Sequence, residues 1–157
     1  MSATQEQKWF KIGEVARFVD VSVETIRMYE REGLLIPERK DTGQRLFNQA
    51  DIHWVGCIRH LIKEEGLNIE GIRRLLSLIP CWNIKPCTAA ERRDCPAYLR
   101  STKPCWMIKP QLSRVCQDED CRRCQVYQNA MRCENLKSLL RQYTTNVQEP
   151  IDTPNSH

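Results

Sequence analysis

Cysteine is the residue that most constrains this chain. Eight of the nine cysteines lie within the 53 positions from 81 to 133, and only Cys57 lies in the first half. Five prolines are spread over residues 80–110. Because proline removes a backbone donor and clashes with a continuing helix, no long helix fits there. We therefore expect residues 79–121 to be a cysteine-rich segment of short elements and loops.

The chemistry of these cysteines follows from the compartment. No apolar run approaches the ~20 residues that cross a bilayer, and residues 1–8 are polar and without a signal sequence, so we expect a flexible N-terminus and a cytoplasmic protein with no membrane partner. In a reducing cytosol, clustered cysteines favour metal ligation or redox chemistry over structural disulfides. The predicted metal ligands are Cys81, Cys87, Cys95, Cys105, Cys116, Cys121, Cys124 and Cys133.

The spacing of the later cysteines resembles an iron–sulfur pattern. Cys116, Cys121 and Cys124 are spaced C-x₄-C-x₂-C and are followed by Cys133, the order of plant-type clusters. The other four, residues 81–105, match no standard zinc ribbon, and the division into two groups of four is a hypothesis. An iron–sulfur cluster is the preferred cofactor; zinc or another thiophilic metal, and a dithiol/disulfide switch, stay open. We interpret Cys57 as a small buried apolar residue of a helix.

An internal repeat lies inside the cysteine-rich segment. Residues 80–86 read Pro-Cys-Trp-Asn-Ile-Lys-Pro, and residues 104–110 read Pro-Cys-Trp-Met-Ile-Lys-Pro, with six of seven positions identical. This identity predicts two related loops whose indole rings shield a cluster from water or simply pack. Residues 81–157 hold 12 Lys/Arg and 8 Asp/Glu, so 12 − 8 = +4, the whole net charge of the chain. That excess is consistent with an anionic thiolate site, and equally with a solvated surface.

The first half has the pattern of a small helical domain. Apolar residues at helical spacing, the N-cap residues Ser22 and Asn68, and the stop signal Gly33 predict its helices. Thr42-Gly43 predicts the turn of a hairpin. The predicted elements are helices over 10–19, 23–32, 51–65 and 68–78, with the hairpin between the second and third helices. Two short helices joined by a tight turn and followed by a hairpin predict a winged helix-turn-helix.

The motifs of this half resemble the MerR family. They are Ile-Gly-Glu-Val-Ala at 12–16, Val-Ser-Val-Glu-Thr-Ile-Arg at 21–27, Tyr-Glu-Arg-Glu-Gly-Leu-Leu at 29–35 and Gly-x-Arg-x-Phe at 43–47. The resemblance implies a DNA-binding domain over residues 9–78. It also implies a homodimer on a two-fold operator in double-stranded DNA, acting with RNA polymerase at the promoter, and a regulator rather than an enzyme. The DNA-binding residues expected on this basis are Ser22, Val23, Thr25, Arg27, Tyr29 and Arg45.

The C-terminal part completes the predicted architecture. An apolar stripe over residues 122–144 predicts a helix that packs on the head or on a partner and provides dimerisation, and residues 145–157 are expected to be a disordered tail. The fold class is therefore mainly α: a winged helix-turn-helix, a cysteine-rich metal- or cluster-binding segment and a C-terminal helix. Alternative functions are a DNA-architectural protein with purely structural zinc, a regulator sensing zinc or another soft metal, or an electron-transfer protein.

Overall fold

The computed structural model describes residues 7–85, 87–133, 137–138 and 140–141 of the chain. This part of the chain is mainly helical, with a two-stranded antiparallel sheet. None of its helices combines the length and the apolar character needed to cross a membrane. The predicted flexible N-terminus falls mostly, and the predicted disordered tail entirely, outside the described residues.

The head is formed by four helices and a small hairpin. Its two sequence-predicted helix caps are present: the Ser22 Oγ accepts a hydrogen bond from Thr25 N at 3.1 Å, and the Asn68 side chain accepts one from Gly71 N at 2.7 Å. Gly33 follows the second helix at φ +79°, a conformation that glycine adopts without strain. The elements are α1 (Ile12–Val19), α2 (Val23–Arg31), β1 (Glu38–Arg39), β2 (Arg45–Leu46), α3 (Gln49–Lys63) and α4 (Ile69–Ser77).

An apolar core holds the head together. Val15, Leu34, Phe47, Trp54 and Ile58 are all 2% exposed or less, and they come from α1, α3 and the segments flanking the hairpin. The sheet is short, with Glu38 opposite Leu46, and it is extended by a bridge between Phe10 and Phe47. The core is therefore built by the head itself, apart from two side chains that enter it from the C-terminal part, Tyr127 and Met131.

The cysteine-rich half has only short elements, as its prolines predict. Pro80 and Pro104 begin the two copies of the repeat, and both are fully buried. The first copy starts as α-helix and the second as 3₁₀ turn. The elements are α5 (Cys81–Ile84), α6 (Ala89–Arg93), α7 (Pro96–Leu99), the 3₁₀ turns Cys105–Met107 and Lys109–Gln111, and α8 (Arg114–Gln117).

The C-terminal helix is shorter than predicted. Instead of one helix over 122–144, α9 spans Gln125–Met131 and is followed by a turn in which Cys133 has a φ of 55°. This left-handed residue interrupts the helical path, and the chain is helical again at 137–138 and 140–141. Tyr127 and Met131 of α9 pack into the head core, while Val126 and Ala130 pack with Ile79. The apolar side chains of α9 thus pack on the head of the same chain.

Candidate functional site: a nucleic-acid surface and a thiol-lined cavity

Helix α2 presents a polar face to solvent. Ser22 and Arg27 are exposed and Thr25 is half-buried, with the Ser22 and Thr25 hydroxyls 2.8 Å apart. Arg27 Nη1 lies 2.9 Å from the Glu24 carboxylate, an exposed pair that yields readily to a stronger anion. This is the geometry of a second helix-turn-helix helix, whose N-terminal residues reach base edges.

A groove beside α2 gathers cations from three elements. Arg27 and Arg45 line it together with Lys11 and Arg17, which the sequence analysis did not single out. The sequence contains a signal for both, since Lys11 is the N-cap residue of α1 and Arg17 lies on its polar face. Arg45 is partly neutralised because its guanidinium is bonded to Glu30. Lys and Arg around one groove are suited to phosphate oxygens.

Two of the predicted DNA-binding residues lie elsewhere. Tyr29 is only 3% exposed and belongs to the head core, so its expected contact with the DNA backbone is wrong. It is buried because it lies one helical turn after Ile26, on the same inward face of α2. Burial also raises the pKa of the Tyr29 hydroxyl, and the Arg59 charge partly offsets this effect. Val23 is half-buried and packs against the core.

Seven cysteines line a single cavity in the second half of the chain. The cavity volume is about 40 Å³, and the lining also includes the indoles of Trp82 and Trp106 and the rings of Tyr98 and Tyr127. Each of these thiols is half-buried and free. They are Cys81, Cys87, Cys95, Cys105, Cys116, Cys121 and Cys124.

Burial in the cavity raises the pKa of four of its thiols. Burial raises the pKa of Cys81 to about 12, and the charges of Cys95, Cys116 and Cys87 add to the effect. For Cys105, burial is again the main cause of a raised pKa, followed by the charges of Cys81, Cys124, Cys121 and Cys116. Burial also raises the pKa of Cys116 and Cys121. A thiophilic group that binds here must therefore displace protons, which couples its affinity to pH.

Both copies of the repeat direct a lysine to the same acidic residue. Lys85 of the first copy is bonded to the Glu119 carboxylate, and Lys109 of the second copy donates to the Glu119 carbonyl at 2.5 Å. The charge of Lys85 acts to lower the pKa of Cys116, and that of Lys109 acts to lower the pKa of Cys121. The lysines thus place positive charge close to the thiols and favour an anionic group among them.

The thiols are not arranged around a single ion. Within the described part of the chain, no three His, Cys, Asp or Glu side chains are placed to hold one metal ion. A tetrahedral zinc site needs sulfurs ~2.3 Å from the metal, and hence about 4 Å from one another. The donor set, soft thiols from several short elements, is of the type preferred by zinc, other thiophilic metals and iron–sulfur clusters. Because Cys105 has Cys81 and Cys121 as electrostatic neighbours, the thiols form one continuous site rather than the two groups of the hypothesis.

Cys133 does not belong to this site. It forms a disulfide with Cys57 of α3, with a Cα–Cα distance of 6.2 Å, so its prediction as a metal ligand is wrong in this structure. The turn after α9 is the reason, because it directs Cys133 towards α3. Cys57 is buried in the head core at 6% exposure, as interpreted from the sequence, but its pairing was not foreseen.

A buried ion pair connects the cysteine-rich half to the head. Arg122, which follows Cys121, donates two hydrogen bonds to the Asp51 carboxylate at 2.8 and 2.7 Å, and Asp51 is fully buried. Asp51 also caps α3 by accepting from Asn48 N. Burial acts to lower the pKa of Arg122, but the bonds to Asp51 and its charge outweigh this and raise it. The sequence analysis missed Arg122, because nothing local separates it from its neighbour Arg123.

The segment between α2 and β1, residues 32–37, receives further contacts from the same half. We call it the connecting segment. Trp106 Nε1 donates to Gly33 O at 2.7 Å, and Arg122 Nη1 donates to Ile36 O at 2.6 Å. Ile36 N donates to the Tyr127 hydroxyl at 2.9 Å. The backbone that joins the second helix to the hairpin is therefore held by side chains next to the thiol cavity.

Comparison with known proteins supports the assignment of the head. A family model described as "MerR HTH family regulatory protein" matches residues 10–79. The HTH-type transcriptional regulators MlrA and ZntR of Escherichia coli (strain K12) are 42% identical over 69 residues and 37% identical over 70 residues, which is 43% and 44% of this chain. The chain covers 28% of MlrA and 49% of ZntR, so it spans half or less of these curated relatives.

A further relative extends past the head. The mercuric resistance operon regulatory protein of Bacillus cereus is 28% identical over 130 residues, which is 78% of this chain and 98% of that protein. No solved structure matches the chain. The likeness to proteins of known function is therefore strongest over the helix-turn-helix.

Proposed function

Residues 10–79 form a MerR-family helix-turn-helix domain, and from this premise we propose that the protein is a DNA-binding transcription regulator whose thiol cavity holds a metal-containing group. It acts as a homodimer on a two-fold operator in double-stranded DNA, in the cytoplasm, together with RNA polymerase at the promoter. It is a regulator rather than an enzyme. The observation that carries the proposal is the convergence of seven free cysteines on one cavity that contacts the head.

The DNA surface of the proposal is the polar face of α2 with the adjoining groove. Ser22, Thr25 and Arg27 read the major groove, while Arg45, Lys11 and Arg17 bind phosphates. Residues 1–80 carry 12 Lys/Arg and 12 Asp/Glu, so 12 − 12 = 0, and the head has no net charge with which to bind DNA unspecifically. Affinity therefore depends on where the two heads of the dimer are held.

The group in the cavity is proposed to be an iron–sulfur cluster, with zinc or another thiophilic metal as the alternative. The number of thiols around the cavity and the C-x₄-C-x₂-C spacing of Cys116, Cys121 and Cys124 support the cluster. Its ligands are drawn from the seven thiols that line the cavity. Cys81 has Cys95, Cys116 and Cys87 as electrostatic neighbours, and Cys105 has Cys81, Cys124, Cys121 and Cys116. Such a cluster responds to oxidants and to solvent access. The indoles and lysines around the cavity control how far oxidants and water reach it.

A direct experiment tests the cofactor. The full-length protein is purified without oxygen, its absorption spectrum is recorded, and iron, acid-labile sulfide and zinc are counted per chain. We expect a coloured protein with iron and sulfide in equal amounts. A colourless protein with stoichiometric zinc would contradict the cluster and support the zinc alternative, and a protein with neither would contradict a metal-containing group.

A second experiment tests regulation. A duplex is selected from a random-sequence pool by the wild-type protein, and its affinity is measured for loaded and for stripped protein. We expect a two-fold symmetric binding site and about a tenfold difference in affinity, the middle of the usual range for coupled sites. Equal affinities would exclude control of DNA binding by the cavity and favour a DNA-architectural protein with a purely structural metal.

A further inference from the structure

The two copies of the repeat line the same cavity but have different neighbours. In the first copy, the Trp82 ring packs edge-to-face on Tyr98 of α7, with ring centres 5.1 Å apart. In the second copy, Trp106 packs in the same way on Tyr127 of α9, at 5.2 Å. The Trp106 indole also donates to Gly33 O of the head at 2.7 Å. Two nearly identical loops therefore present the same indole to two different parts of the chain.

The one residue that differs between the copies lies at the contact with the head. Asn83 of the first copy corresponds to Met107 of the second. Met107 lies directly against Gly33: a Cβ on this glycine would be 2.6 Å from Met107 Cε and 2.8 Å from its Sδ. A side chain at residue 33 would have to displace the end of the Met107 side chain. The second copy is thus specialised, at its single substitution, for packing on the end of α2.

The contacts reach the backbone between the two DNA-facing parts of the head. Gly33 and Ile36 belong to the connecting segment, which joins α2 to the hairpin. Trp106 directly follows Cys105, and Arg122, which donates to Ile36 O, directly follows Cys121. A displacement of either cysteine is therefore passed on, through one residue and one hydrogen bond, to the backbone that sets the orientation of α2 relative to the hairpin.

We propose that the second copy of the repeat is the relay between the thiol cavity and the DNA-binding surface, through Trp106 and Met107 against Gly33, while Trp82 of the first copy packs on Tyr98 within the cysteine-rich half. The proposal rests on the proposed function, in that a group bound by the cysteines is the input. Binding at Cys105 fixes Trp106 on Gly33 and holds α2 and the hairpin in one relative orientation. Release of the group loosens this contact.

Matched substitutions in the two copies test the relay in the full-length protein. Trp106→Phe removes the donor to Gly33, and Trp82→Phe makes the same change in the first copy. Each protein is reconstituted anaerobically with ferrous iron and sulfide, and the bound iron and sulfide are counted. Protein that has loaded is then stripped, and the loaded and stripped forms are compared. The readouts are the loaded-to-stripped ratio of affinity for the selected duplex and the hydrogen exchange of the backbone amides of residues 33–36.

In the wild type we expect a loaded-to-stripped affinity ratio of about ten. In Trp106→Phe we expect reconstitution to be maintained and this ratio to fall to less than about two. In Trp82→Phe, any loss of reconstitution shows an effect on the cavity. For the Trp82→Phe protein that does load, the loaded-to-stripped affinity ratio stays close to ten. Exchange of the backbone amides of residues 33–36 slows on loading in the wild type and in Trp82→Phe, but not in Trp106→Phe. A Trp106→Phe protein that keeps the full ratio, or a Trp82→Phe protein that loses it equally, would overturn the relay.

A second pair of variants keeps the test decisive if Trp106→Phe does not fold. Met107→Asn gives the second copy the sequence of the first, and Asn83→Met does the reverse. We expect the ratio to fall at least threefold in Met107→Asn and to stay within twofold of the wild type in Asn83→Met; equal ratios in both would contradict the proposal. A wild-type protein that binds the duplex equally well loaded and stripped would instead contradict the proposed function itself.

Discussion

The head and the cysteine-rich half are stabilised in different ways. The head has capped helices of eight to fifteen residues around a core of fully buried apolar side chains. The cysteine-rich half has helices of four or five residues before α9, and its own buried apolar cluster consists of Ile79, Val126 and Ala130. Where the head has apolar side chains at its centre, the cysteine-rich half has a thiol-lined cavity.

The two regions therefore differ in how their folded structure is maintained. Burial of apolar surface stabilises the head under all conditions in which the chain is folded. Short helices are marginal by themselves, so under the proposed function the order of the cysteine-rich half depends on the group that its thiols bind. The proposed sensor requires this combination, because the part that reads DNA must persist while the part that senses changes.

The largest effect expected is that of removing the thiol-bound group. With a chelator and a reductant under anaerobic conditions, residues 81–124 are expected to lose protection against hydrogen exchange, because thiol-bound metal contributes about 10 kcal/mol to small domains. Peptides from α1 and α3 serve as the internal control and keep their protection. Equal loss of protection in both regions would mean that the fold of the head depends on the thiol-bound group as much as the fold of the cysteine-rich half does.

Breaking the buried ion pair between the two regions comes next. Arg122→Gln leaves the fully buried Asp51 without its partner and is expected to lower the free energy of unfolding by about 3–5 kcal/mol. Arg123→Gln is the matched control; its side chain is 72% exposed and lies 3.6 Å from Glu38, so a change below about 1 kcal/mol is expected. Urea unfolding measures both, and similar losses would contradict a specific role of Arg122.

The covalent link between the regions is expected to contribute slightly less. The Cys57–Cys133 disulfide spans 76 residues, and Cys133→Ser is expected to lower the free energy of unfolding by about 2–4 kcal/mol under oxidising conditions. Alkylation before reduction, followed by mass measurement, checks the bond itself. If both Cys57 and Cys133 are alkylated in oxidised protein, the link does not form and no stability difference should remain.

Helix caps give the smallest effect and compare the regions most directly. Ser22→Ala removes the cap of α2 and is expected to cost about 1 kcal/mol in thermal or urea unfolding. Thr88→Ala removes the cap of the five-residue α6, where the Thr88 Oγ1 accepts from Glu91 N at 3.2 Å. Because we attribute the order of that region to its thiols, a cost below about 0.5 kcal/mol is expected. Equal costs would argue that α6 is held by its own helical signals.

The head was predictable because its signals are local. The Ser22 and Asn68 caps, the positive φ of Gly33 and the Thr42-Gly43 turn act within a few residues, and the structure has each of them near its expected place. The proline-bounded loops of the second half were predictable for the same reason. The end of α9 was not, because Cys133 adopts its left-handed conformation where it meets α3, a contact between residues 76 apart.

The sequence by itself therefore determined which chemistry this protein contains: a capped helix-turn-helix, and cysteines too numerous for packing alone. The tertiary structure decided which of these residues meet. It brought seven thiols into one cavity and took Cys133 out of it, buried Tyr29, and selected Arg122 over Arg123 as the partner of Asp51. Caps and turns are encoded by neighbours along the chain, whereas burial, ligand sets and ion pairs depend on distances that only packing sets.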